Sequence, residues 1–135
     1  MSKRFIIFTS YIEGDPRLAY APQPEDTVLC ADGGYRHAKA MGLAVSAVIG
    51  DLDSIDEQEV EKSLLLRAPK HKDDTDTMLC LRHALKLGAT ECLIIGGMGG
   101  RLDHTVANLQ SLAFAHKNGL FAQLLDEYHR AFLLE

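Results

Sequence analysis

The 135-residue chain is nearly half hydrophobic and carries a formal charge of -5, enough apolar material for one core of ordinary size in a single domain. No apolar run reaches the roughly 18 residues that cross a bilayer, and the excess of acid argues against a nucleic-acid surface, which needs clustered Lys and Arg to displace counterions from phosphates. Cys30, Cys80 and Cys92 are odd in number, far apart and set in apolar runs, which is how small buried hydrophobes look in a reducing compartment.

The start, Met1-Ser2-Lys3-Arg4-Phe5-Ile6-Ile7, passes without a cleavage site into a strand-like run over residues 4–10, so the expected location is cytoplasmic. Residues 14–26 hold Pro16, Pro22 and Pro24 without a clean period and read as a long loop. Apolar runs over residues 27–32, 47–53 and 91–97 each end in Gly or Asp and read as buried strands. Helical spacing is clearest over residues 77–87, where Met78, Leu81 and Leu85 recur, and over residues 102–116, where Leu102, Val106, Leu109 and Ala113 do. Asp74 or Thr75 can cap the first helix and Gly88 ends it, while Asn118-Gly119 closes the second. Residues 123–135 read as one more strand. Strands alternating with helices predict an α/β fold with a mainly parallel sheet, because parallel neighbours need a crossover. In such sheets ligands bind beyond the carboxyl ends of the strands, so polar residues after each apolar run are the candidates for chemistry.

Four segments satisfy that condition. Ala31-Asp32-Gly33-Gly34 closes one apolar run and opens a helix-like stretch through Ala40; it serves either a tight strand-to-helix turn or a phosphate approaching free N–H groups. In Gly50-Asp51-Leu52-Asp53-Ser54 the two carboxylates stand two residues apart, so in an extended chain both can face one hard cation. A capping Asp beside a surface Asp would look the same. Lys72-Asp73-Asp74-Thr75-Asp76 opens the best amphipathic helix, and its carboxylates repel one another unless solvent, a cation or the helix dipole offsets them.

Gly96-Gly97-Met98-Gly99-Gly100-Arg101-Leu102-Asp103-His104 is the fourth. So many glycines cost ordering entropy unless the backbone turns sharply or lies against a ligand. A helix from Arg101 places Arg101, His104 and Asn108 on one face, with Asp103 beside them, and a guanidinium suits phosphate oxygens. No P-loop is present, and Gly97-Met98-Gly99-Gly100-Arg101-Leu102 fails the dinucleotide fingerprint at its last position.

Taken in order, Ala31-Asp32-Gly33-Gly34, Gly50-Asp51-Leu52-Asp53-Ser54, Lys72-Asp73-Asp74-Thr75-Asp76 and Gly99-Gly100-Arg101-Leu102-Asp103-His104 with Asn108 resemble the motif series of thiamine pyrophosphokinases. The resemblance spans residues 32–108. It implies a Rossmann-like three-layer α/β domain that binds ATP, with Mg2+ as the metal and thiamine as the acceptor. Asp51, Asp53, Asp76 and Asp103 carry over as catalytic and metal-handling positions, with Asp73 a further candidate. Asp32, Gly33, Gly34, Lys72, Thr75, Gly99, Gly100, Arg101, His104 and Asn108 carry over as positions that contact ATP and its phosphates. The implied reaction is attack of the thiamine hydroxyl on the β-phosphorus of ATP, giving thiamine pyrophosphate and AMP. Family members form homodimers and add a C-terminal β domain that supplies part of the thiamine site and of the dimer interface. On this reading residues 1–122 are the nucleotide- and magnesium-binding domain, residues 123–135 begin the β domain that is otherwise absent, and the chain is a truncated catalytic domain expected to bind magnesium-ATP weakly and not to turn over thiamine by itself. Two competing readings use the same residues: another magnesium-dependent phosphoryl-transfer enzyme, or a noncatalytic nucleotide-binding module.

Overall fold

The computed structural model describes residues 3–50, 65–67 and 75–133. Its chain order is β1 (Arg4–Phe8), α1 (Pro16–Ala19), β2 (Thr27–Ala31), a 3-10 turn (Asp32–Gly34), α2 (Tyr35–Ala40), β3 (Ala47–Gly50), β4 (Leu65–Arg67), α3 (Asp76–Lys86), β5 (Glu91–Ile95), α4 (Leu102–Lys117), β6 (Phe121–Leu125) and β7 (Arg130–Phe132). One sheet contains every described strand, in the order β4-β3-β2-β1-β5-β6-β7. All neighbours are parallel except β7, which runs antiparallel to β6 at the edge.

The unbroken apolar runs of the central strands follow from burial on both faces. In β1, Phe5 and Ile7 enter a core with Leu79, Cys80, Leu81 and Ala84 of α3 and Leu112 and Ala115 of α4. Ile6 and Phe8 enter the opposite core, with Tyr20 and with Tyr35 and Ala38 of α2. The result is three layers around a mainly parallel sheet, as expected. All three cysteines are free and buried, and loss of solvation pushes the Cys30 thiol up to about 12.

Several local expectations change. Within residues 14–26, Asp15 accepts from the Arg17 N–H at 2.9 Å and Pro16 stands in the first turn, so one turn of helix forms where a loop was expected. Where one strand was expected over residues 123–135, the described residues 123–133 hold the end of β6, a turn and β7, because Asp126 accepts backbone N–H bonds from Tyr128 and His129 and reverses the chain.

The face of α4 is also corrected. Leu102, Val106 and Leu109 are exposed, at 77%, 44% and 40%, and Ala113 is exposed with them. The helix buries Asn108, Ser111, Leu112 and Ala115 instead. Ser111 donates to the Ala107 carbonyl at 3.1 Å and Asn108 donates to Gly97, so both polar side chains have partners for their donors inside the fold. Small Ser111 and Ala115 then allow close packing onto the sheet, and a polar face wins over an apolar one.

Candidate functional site

Strand order reverses between β1 and β5: β2, β3 and β4 extend to one side, β5, β6 and β7 to the other. Loops leaving the carboxyl ends on either side of such a reversal diverge and leave a crevice. A cavity of about 750 Å³ opens there. Its walls are Thr9, Ser10 and Tyr11 after β1, Ala31 and Asp32 after β2, Thr75, Asp76 and Thr77 at the start of α3, Gly97, Gly99 and Gly100 after β5, and Arg101, His104 and Asn108 at the start of α4.

The acidic corner is formed by Asp32 and Asp76. Asp32 is only 2% exposed and adopts the left-handed conformation at φ 47, which costs energy for any side-chain-bearing residue and is retained where the surroundings enforce it. The following Gly34 is fixed by packing: a side chain there would run into the carbonyl of Phe8. Asp76 stands in the first turn of α3, after Thr75, whose side chain caps the helix by accepting from the Met78 N–H at 3.0 Å. Its carboxylate lies against Gly50 at the end of β3, where a Cβ would come within 2.9 Å of the Asp76 Cγ. Among the described residues no group of three His, Cys, Asp or Glu side chains gathers as a metal cage. Magnesium does not require one, since it takes one or two carboxylates and completes its shell with water and phosphate oxygens. Asp32 and Asp76, as hard oxygen donors on one cavity, fit that demand.

The opposite wall is basic and glycine-rich. The loop after β5 runs through positive φ at Gly96, Gly97, Gly99 and Gly100, a path only glycine follows without strain. At Gly96 a side chain would also collide with the Thr9 hydroxyl and the Tyr11 carbonyl. Asn108, 7% exposed, donates Nδ2 to the Gly97 carbonyl at 3.0 Å, while its Oδ1 is buried with no hydrogen-bond partner among the described residues. Arg101 is the N-cap of α4 and forms a two-point pair with Asp103, Nε to Oδ1 at 3.1 Å and Nη2 to Oδ2 at 2.7 Å. Asp103 loses some solvation, which raises its pKa, but the Arg101 hydrogen bonds and charge and the His104 N–H outweigh this and hold its carboxyl below the usual range. Both side chains are largely exposed, so the pair is weak and exchangeable.

Of the residues expected from the sequence, the cavity brings together Asp32, Thr75, Asp76, Gly99, Gly100, Arg101, His104 and Asn108. Gly33 and Gly34 do not line it, and Asp103 is linked to it through Arg101. Asp51, Asp53, Lys72 and Asp73 lie outside the described residues. Thr9, Ser10, Tyr11 and Thr77 also line the cavity and belong to none of the four motifs. The polar Thr9-Ser10-Tyr11 after the first apolar run satisfied the strand-end rule, but it carries neither Gly nor Asp to draw notice.

The family model described as "Thiamin pyrophosphokinase, catalytic domain" matches residues 20–123. The chain is 36% identical over 91 residues to a protein named thiamine pyrophosphokinase from Bacillus subtilis (strain 168), covering 64% of this chain and 42% of the relative. It superposes on the crystal structure of thiamine pyrophosphokinase from Bacillus subtilis with a TM-score of 0.75 at 27% identity, covering 92% of this chain and 60% of that one. For a thiamin pyrophosphokinase family protein from Enterococcus faecalis the TM-score is 0.71 at 30% identity, covering 93% and 62%. The chain thus spans less than half the length of the curated relative and about three-fifths of the length of these structures.

Proposed function

The chain belongs to the thiamin pyrophosphokinase family, and from that premise we propose that its cavity binds magnesium-ATP and thiamine and transfers the pyrophosphoryl group of ATP to the thiamine hydroxyl. The observation that carries this reading is the convergence of Asp32, Asp76, Arg101 and His104, drawn from three separate motifs, on one cavity at the strand-order reversal.

In the proposed reaction the thiamine hydroxyl oxygen bonds to the β-phosphorus, the bond from that phosphorus to the α-phosphate oxygen breaks, and AMP leaves. No covalent enzyme intermediate is needed, so the protein contributes position and charge. Asp32 and Asp76, with Asp51 and Asp53, would hold magnesium, which when bound neutralises phosphate charge. Arg101 exchanges Asp103 for phosphate oxygens, retaining two-point contact with an acceptor of the same geometry. His104, one turn on, adds a further polar group to the same wall. Asp76 or the released Asp103 accepts the hydroxyl proton.

The test is a magnesium-ATP assay with and without thiamine, in which AMP and thiamine pyrophosphate are separated by chromatography. The proposal predicts AMP that depends on thiamine and is matched mole for mole by thiamine pyrophosphate. ADP or free phosphate would point to a different phosphoryl transfer, and ATP binding without products would leave only a nucleotide-binding module.

A further inference from the structure

Tyr11 lines the cavity, yet none of the four motifs includes it. It is 49% exposed, although aromatic rings dominate buried surface elsewhere in proteins. One face of its ring rests on the glycine-rich loop. A Cβ on Gly100 would stand 3.3 Å, 3.3 Å and 3.4 Å from the Tyr11 Cε2, Cζ and Cδ2. Near-equal distances to three consecutive ring carbons place that point above the ring rather than at its edge, so a side chain at Gly100 would press on the platform. The Tyr11 carbonyl accepts from the Gly97 N–H at 3.0 Å, and its hydroxyl donates to Glu13 Oε2 at 2.6 Å. The ring is therefore held at three points, and half of its surface is open.

The charge around the ring selects what stacks there. Glu13 has no ion-pair partner among the described residues, and Glu127 bonds through its backbone N–H to the Glu13 carbonyl at 3.4 Å. Tyr128 follows on the same turn, where its hydrogen bond to Glu127 and the charge of that carboxylate raise its pKa, while Asp126 pairs with His129 at 3.2 Å. The Glu13 carboxylate on the ring hydroxyl makes this edge of the ring negative, whereas Arg101, which directly follows Gly100 on the same wall, has its charge offset by Asp103. The neighbouring Asn108 adds an independent observation. Its amide orientation is fixed, because the Gly97 carbonyl can only accept, and the oxygen left over is a buried acceptor without a donor. An acceptor repels phosphate oxygen, so this side of the cavity favours a cation or an N–H donor. A ring tethered to a polyanion, such as the adenine of ATP, is disfavoured beside the carboxylates, whereas a flat cation gains from both the ring face and their charge.

We propose that Tyr11, backed by Glu13, is the stacking platform for a cationic heteroaromatic acceptor, and that it orients the acceptor hydroxyl toward phosphates held by the neighbouring Arg101. This rests on the acceptor being thiamine, whose thiazolium ring is such a cation.

The test uses the full chain and isothermal titration with four probes: thiamine, magnesium-ATP, 5-(2-hydroxyethyl)-4-methylthiazole, and its N-methylated thiazolium salt. Tyr11→Ala is expected to weaken thiamine and the thiazolium salt about tenfold, and Tyr11→Phe to retain most of the affinity. Glu13→Gln should weaken both cations a few-fold and leave the neutral thiazole unchanged. Magnesium-ATP affinity should stay within about twofold in every variant, which also reports that the variants are folded. If Tyr11→Ala weakens magnesium-ATP and spares the cations, the ring serves adenine and the proposal is wrong. Equal loss of neutral and charged thiazole in Glu13→Gln would remove the charge argument and overturn it as well. If the unaltered chain binds magnesium-ATP but neither cation, the thiamine reading itself fails and takes this one with it. If it binds both cations and Tyr11→Ala binds them equally well, only the platform is lost.

Discussion

At the amino end of the sheet Arg4 donates Nε and Nη2 to the two oxygens of Asp26 at 2.7 Å each, and Tyr20 and the Gln23 N–H complete the carboxylate's partners. The Asp26 side chain is 3% exposed, and the guanidinium also lies over the Tyr20 ring. Lys3 and Thr90 close the neighbouring gap through hydrogen bonds in both directions. At the carboxyl end, by contrast, Asp32 is held in left-handed backbone, Asn108 keeps a buried acceptor without a donor, and four glycines leave a loop with almost no side chains. One end meets its electrostatic needs internally and stabilises the fold; the other retains charge, strain and open space that a ligand would resolve. In a parallel sheet that division follows from the loops, since the carboxyl-end loops carry the ligand and the amino-end loops are released to hold the chain together.

The largest effect that separates the two ends is expected from Asp76→Asn, which keeps shape and removes a charge. Turnover should fall by about 10²–10³-fold, while the melting temperature stays close to that of the unaltered chain. A lost fold with Asp76→Asn would instead place that carboxylate among the structural groups.

Next is Asp26→Asn at the opposite end. Removing one partner of a buried, hydrogen-bonded pair should cost about 3 kcal/mol of stability, read by urea or thermal unfolding, with ATP affinity unchanged. The same group gives a pH signature. Loss of solvation raises the Asp26 pKa, but the Arg4, Tyr20 and Gln23 hydrogen bonds and the Arg4 charge outweigh it, so the folded value lies below the ordinary one. Its contribution is therefore complete above the unfolded carboxyl pKa, about 3.9, and is lost as pH falls through the folded value. The stability gap between the unaltered chain and Asp26→Asn should narrow below about pH 4. A gap that stayed constant into strong acid would contradict the assignment.

The α4 helix joins both regimes, with its first turns on the cavity and its later ones on the core. Leu112→Ala should cost about 2–5 kcal/mol because Leu112 is 5% exposed. Leu109→Ala, three residues away, should change stability by no more than about 0.5 kcal/mol. Equal losses at the two positions, measured by chemical denaturation, would restore the apolar face that the periodicity suggested.

That helix also shows what sequence reasoning reaches. Its limits, its Gly-rich approach and the Arg101, His104, Asn108 alignment were legible, because they depend on local spacing alone. Its buried face was not. Periodicity ranks side chains by hydropathy, whereas Asn108 and Ser111 are buried because carbonyls at Gly97 and Ala107 accept their protons. The alternation of strands and helices gave the layered parallel sheet, since buried parallel strands leave continuous apolar runs. Arg4 and Asp26 carried no signal of their pairing, which arises only when β1 and β2 are brought side by side. Tyr11 was missed for a related reason, as its significance depends on Gly100, brought beside it when β1 and β5 pair.

The most direct measurement is thermal unfolding of the unaltered chain, Asp76→Asn and Asp26→Asn, each with and without saturating magnesium-ATP. A ligand that binds only the folded state raises its stability by RT ln(1 + [L]/Kd). The account predicts that Asp26→Asn melts early yet shows the full ligand-induced rise, whereas Asp76→Asn melts near the unaltered chain and shows little or no rise. The opposite pattern, a full rise in Asp76→Asn and none in Asp26→Asn, would contradict a site at the carboxyl end of the sheet.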